Sequence, residues 1–197
     1  MNIKTIRLQK AIFLIVVISF ILSNSVNGQT AVISDFETKV DNYIKLYLPN
    51  FDISNENPSE SRMLFIIDSL KSTVWTRKVT LKSKQTIQDK NGQTTNLRLN
   101  LSFYNFEDSK KCKDAMNVLL NCFGGDCGKI EWGTPGQTAK TTPCVFVFNE
   151  REIITCSISC EQENGYWNGF KEDLIKTLRE DPAKIMEAGC GGPITFK

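Results

Sequence analysis

Seven cysteines lie downstream of an N-terminal leader in a chain of 197 residues that contains no histidine. Lys4, Arg7 and Lys10 precede an apolar run from Ala11 to Leu22, broken only by Ser19, and a polar small-residue stretch closes at Gly28. The run is shorter than the roughly 20 residues that span a bilayer, so residues 1–28 read as a cleavable signal peptide. The expected location is exported, secreted or periplasmic, with no stable membrane insertion after signal cleavage. Cysteines that meet an oxidising compartment read first as disulfides.

Absent histidine removes the Ser-His-Asp triad, the Cys-His pair and histidine zinc sites. A hydrolase would have to run on carboxylates, with Asp126, Glu131 and Glu161 on or near loops as the residues to recruit. Cysteine spacings of x9, x4, x16, x11, x3 and x29 contain no Cys-x-x-Cys, the usual frame of a low-pKa redox thiolate. A four-thiolate zinc site from Cys122, Cys127, Cys156 and Cys160 conflicts with an oxidising compartment. No metal and no cofactor is therefore expected. The run Gly124-Gly125-Asp126-Cys127-Gly128-Lys129 is one residue short of a phosphate-binding loop, and Ile130 stands where a hydroxyl is needed.

Charge narrows the partners further. The leader carries three of the 24 basic side chains and no acidic one, leaving 21 Lys+Arg against 22 Asp+Glu, a net of −1. A concentrated basic face is missing, and with it the expectation of nucleic-acid binding.

Residues 29–197 suffice for a single domain with a sizeable core. Ser34-Asp35-Phe36-Glu37 is a capping box, and Phe36, Val40, Tyr43, Ile44 and Tyr47 follow at helical spacing. Asp52–Ser61 reads as a polar linker. Asn57-Pro58-Ser59-Glu60 starts a second helix that runs into Met63–Ile67. Trp75–Ile87 and Leu97–Phe103 form a hairpin across Lys90-Asn91-Gly92, with Gly92 left-handed; Leu99, Leu101 and Phe103 then face Ser83, Leu81 and Val79. A helix opening at Asn105 or Asp108 carries Cys112, Ala115, Met116, Leu119 and Phe123 on one face. Cys144–Phe148 and Ile153–Ile158 form a second hairpin across Asn149-Glu150-Arg151. A long helix with Trp167, Phe170, Leu174 and Leu178 follows, and Asp181-Pro182 begins a short terminal helix.

The expected fold is α+β in the order ααββαββα, with an antiparallel sheet of about four strands covered by helices on one side and stapled by disulfides. The stretch from Thr142-Pro143 through strand, turn, strand and helix is similar to the end of a thioredoxin fold. No helix and strand fit ahead of Pro143, and the family is not assigned.

Geometry sorts the cysteines. The three-residue turn sets Cys144 opposite Cys156, within disulfide reach. Cys156 and Cys160 sit about 13 Å apart on an extended strand and cannot pair with each other, which leaves Cys160 for Cys190. Cys122 and Cys127 close a local loop, and Cys112 stays a buried free thiol.

The long loop 124–142 is the candidate binding surface, through Asp126, Lys129, Trp132 and Gln137, with Trp132 among glycines and proline. Trp132 either faces a partner or folds back on the sheet. The function expected is a non-enzymatic binding or interaction module for a protein, glycan or small ligand. The alternative is a thiol-dependent redox protein or a carboxylate-based hydrolase.

Overall fold

The computed structural model describes residues 35–54 and 72–197. The expected signal peptide, the helix start at Asn57–Glu60 and the run Met63–Ile67 lie outside the described residues. Lys39–Lys197 pack as one compact unit; of Met1–Thr38, only the first turn of a helix is described.

That helix, α1, covers 35–47, and a turn leads directly into strand β1, Phe51–Ser54. The expected linker is thus a strand in its first part. The long hairpin β2 (Thr73–Gln88) and β3 (Thr94–Phe106) comes next, then helix α2 (Ser109–Asn121). A second hairpin, β4 (Cys144–Phe148) and β5 (Glu152–Ser157), leads through a 3-10 turn, Cys160–Gln162, to helix α3 (Gly165–Leu178). Strands β6 (Lys184–Ala188) and β7 (Ile194–Phe196) end the chain where a terminal helix was expected. The fold is α+β, but among the described residues its sheet has seven antiparallel strands rather than about four, in the order β1-β2-β3-β5-β4-β6-β7.

Local chemistry explains the helix starts and the first turn. Asp108 caps α2 by accepting from the Lys111 amide, and Asn164 caps α3 through the Tyr166 amide. The β2–β3 turn is Lys90-Asn91-Gly92 with Gly92 at φ 76°, a conformation that glycine adopts without steric cost. The Asp89 carboxylate accepts from the Asn91 and Gln93 amides and fixes that turn.

Helices cover both faces of the sheet, not one. On the α2 face, Tyr104, Phe106, Phe146, Phe148 and Met186 pack with Met116 and Leu119. On the other, Leu99, Leu101, Phe103, Val145, Val147 and Ile154 are each fully or nearly fully buried. Lys171 of α3 grips Glu187, which pairs with Val145 on that face, and Phe170 of α3 stacks edge-on with Tyr43 of α1. Exposing either row would forfeit about 1.5–3 kcal/mol per large apolar side chain, so the central strands require both covers.

Double burial also decides the second turn. Phe148 pairs with Ile153, so four residues close it and Cys144 faces Ser157 while Val145 faces Cys156. The expected Cys144–Cys156 bridge is therefore replaced by two free thiols on opposite faces of the sheet. Parity selects a register only when one face must be polar, and β4 is buried at every position. The turn is shaped instead by tertiary bonds. Buried Asn149 donates to Glu152 and to the Leu178 carbonyl and accepts from the Glu180 amide, while the Arg151 guanidinium donates to the Phe106 and Glu107 carbonyls.

Two disulfides join Cys122 to Cys127 and Cys160 to Cys190. The second ties the 3-10 turn to the β6–β7 connection. In that turn, buried Gln162 accepts from the Arg98 amide and donates to the Asn96 carbonyl, extending the β3 ladder beyond the end of β5 with a side-chain amide.

Candidate functional site

The expected binding loop is committed to structure. Trp132 is half-buried, with its ring 4.7 Å from Phe196 and 5.9 Å from Phe148 between centroids, and the Lys184 ammonium 5.3 Å from its centre. It folds back on the sheet. The Gln137 side chain accepts from the Glu131 amide and donates to the Glu131 and Thr134 carbonyls, so it organises the turn under the tryptophan. Asp126 pairs with Lys140, and Lys129 with Glu131, as exposed ion pairs. Gly124, at φ 79°, lies where a side chain would meet the Lys140 carbonyl, so the loop's two ends are held together.

The three free cysteines are all buried. Cys112 touches a cleft of about 250 Å³ beside Phe148 and Asn149, and its thiol approaches the Asn149 carbonyl. Burial pushes the Cys112 thiol up to about 12, with the Glu152 charge adding to the effect. Burial also pushes Cys144 up to about 12 against a contact from Thr141, and raises Cys156. None of these environments favours the thiolate.

A different surface carries uncommitted polar groups. Residues 83–85 of β2 oppose the single residue Leu97 of β3, which makes a bulge of two extra residues in the long hairpin. The bulge is built rather than frayed. Buried Ser83 donates to the Gln85 carbonyl and accepts from the Leu97 amide, and the Asn96 side chain donates to the Ser83 carbonyl. The Lys84 amide bonds to the Asn50 carbonyl, fastening the bulge to the turn between α1 and β1. The Lys84 ammonium donates to the Leu48 and Pro49 carbonyls in the same turn.

Between these elements lies a groove of about 300 Å³, at the lower end of small-ligand sites, which run from roughly 300 to 1,000 Å³. Ser83, Ile87 and Leu97 belong to its lining, together with Asn50, Phe51, Gln85, Thr86 and Tyr166. Among the described residues, no charged side chain lines it. The Asn50, Gln85 and Thr86 side chains make no hydrogen bond among the described residues, and Tyr166 is 71% exposed. Tyr166 also borders a second depression with Asn164 and Gly165. The site thus combines spare amide and hydroxyl groups with one exposed and one half-buried aromatic ring.

Larger space exists near Glu172, Lys176, Arg179, Asp181 and Lys197, but charges line it and Arg179 is paired with Asp181. No cluster of three or more His, Cys, Asp or Glu side chains that could hold a metal ion occurs among the described residues.

Of the sequence candidates, the structure brings together the cysteines of the two disulfides, and Lys129 and Gln137 around Glu131. The groove was missed. Tyr166 carried a readable signal, because it falls off the stripe of Trp167, Phe170, Leu174 and Leu178 and so points away from the core. The bulge had only a weak one, the polar run Lys82-Ser83-Lys84-Gln85 interrupting strand alternation. Comparison with protein-family models, curated proteins and solved structures finds no match.

Proposed function

We propose that this chain is an exported, disulfide-stabilised binding module rather than an enzyme, and that it takes an uncharged ligand at the bulge of its long hairpin. The observation that carries this reading is the groove. Among the described residues, it presents hydrogen-bonding side chains with no internal partner beside an exposed aromatic ring, and no charge lines it. Charged ligands would lose hydration there without gaining a counter-charge. Export is supported by the two disulfides, which persist in oxidising compartments. Among the described residues no helix is long and apolar enough to cross a membrane.

Burial works against the thiol-enzyme alternative, since it raises the pKa of each free thiol and so disfavours the thiolate. The test is a thiol titration with Ellman's reagent. The native protein is expected to show no fast-reacting thiol, and the denatured, unreduced protein is expected to release three equivalents, from Cys112, Cys144 and Cys156. A pair that reacts rapidly in the native state would contradict the reading and restore thiol chemistry.

A further inference from the structure

We infer that the groove is a subsite for a neutral oligosaccharide, with Tyr166 as its stacking platform; this rests on the binding-module reading and names its ligand class. Three features select sugar chemistry. First, Asn50, Gln85 and Thr86 each offer both donor and acceptor character, which matches hydroxyl groups that do the same. Second, the ring of Tyr166 is exposed while the Asn164 cap fixes the backbone that carries it, so an aromatic face stands in solvent at a defined place in the fold. A pyranose presents a face of C–H groups to such a ring and a rim of hydroxyls to the amides. Third, the described lining carries no charge, and the nearby Lys84 ammonium is turned onto the Leu48 and Pro49 carbonyls.

The same features disfavour other occupants. A lipid chain would strip water from the amides and the hydroxyl without replacing their hydrogen bonds. Anionic ligands meet no cation in the lining. Length follows from the tyrosine's position. Tyr166 lines both the groove and the depression at Asn164 and Gly165, so a ligand stacked on the ring has further space beside it to occupy. An oligosaccharide suits that arrangement better than a single sugar.

The disulfide-intact protein, labelled with ¹⁵N, is titrated to millimolar concentration with cellohexaose, maltohexaose, xylohexaose, mannohexaose and chitohexaose. Oligogalacturonate and an uncharged blocked tetrapeptide are titrated alongside. At least one neutral sugar is expected to shift the Gln85, Thr86 and Tyr166 amides saturably, while oligogalacturonate does not. Tyr166→Ala should weaken that binding about tenfold and Tyr166→Phe should retain it, since the ring and not the hydroxyl does the stacking. An exposed position makes both variants compatible with the fold. Absence of a response to every neutral sugar, or unchanged affinity in Tyr166→Ala, overturns the assignment. Binding of the tetrapeptide in place of the sugars also overturns it, but leaves the binding-module reading standing.

Discussion

Replacing both Cys160 and Cys190 with alanine is expected to lower the unfolding free energy by about 3–4 kcal/mol. The two residues are 30 apart in sequence, and closing a loop of that length restricts the unfolded chain by an amount of this order. The same substitution at Cys122 and Cys127, only five apart, should cost about 2 kcal/mol. For a compact unit of this size the larger loss corresponds to a drop of about 10 °C in Tm. Position in the fold reinforces the difference. The Cys160–Cys190 bridge anchors the turn whose Gln162 completes the β3 ladder, whereas Cys122–Cys127 closes a surface loop after α2. Urea denaturation of the two double variants, both measured without reductant, checks the ranking. Equal losses, or a greater loss at Cys122 and Cys127, would contradict it.

Glu152→Gln is expected to stabilise the protein at pH 8 by on the order of 3 kcal/mol relative to its effect at pH 4.5. Glu152 is only 6% exposed, and burial raises its carboxyl from 4.5 to about 7. Asn149 donates to it and holds the value down, Glu180 pushes it up, and Lys39 of α1 and Arg151 of the turn pull it down. Asn105 of β3 pairs with Glu152 across the ladder, and its buried side-chain amide makes no hydrogen bond. The direction follows from proton linkage. Below 4.5 the group is protonated in both the folded and unfolded chain and costs nothing. Between 4.5 and 7 the folded state keeps a proton that the unfolded state has lost, so stability falls as pH rises, and above 7 the full penalty is present. Two and a half pKa units at about 1.4 kcal/mol each set the size. Glutamine cannot ionise and still accepts the Asn149 bond. Stability curves of both proteins across this range should therefore diverge with pH, and parallel curves would contradict the buried-carboxylate account.

Local signals in the sequence carried far into the structure. The apolar stripes of α1, α2 and α3, the helix start at Asp108 and the left-handed Gly92 all depend on interactions within a few residues. The β2–β3 pairing kept its expected faces even though the bulge shifted its register. Leu99 opposes Leu81 and Leu101 opposes Val79, two residues from the expected partners, and a shift of two preserves parity. Features set by distant parts of the chain were not legible. Nothing local shows that β4 lies inside the sheet, between β5 and β6, with both faces covered, so parity gave the wrong turn and a disulfide that does not form. Lys184–Ala188 is short, and pairing with β4 makes it a strand. The groove is assembled from the α1–β1 turn, the bulge and the start of α3, which are remote in sequence. Trp132 looked like a contact residue because its neighbours are glycine and proline, yet Phe148 and Phe196, which receive it, come later in the chain.

The claim that the molecule binds an uncharged ligand at the bulge is tested most directly by mapping amide shifts with small probes. Glycerol, N-methylacetamide and myo-inositol serve as uncharged probes, and acetate and methylammonium as charged ones. The largest shifts with the uncharged probes are expected at Phe51, Gln85, Thr86 and Tyr166, with the charged probes weaker at the same amides. A strongest response at the Cys112 cleft or within loop 124–142, or a groove that prefers the charged probes, would contradict the claim.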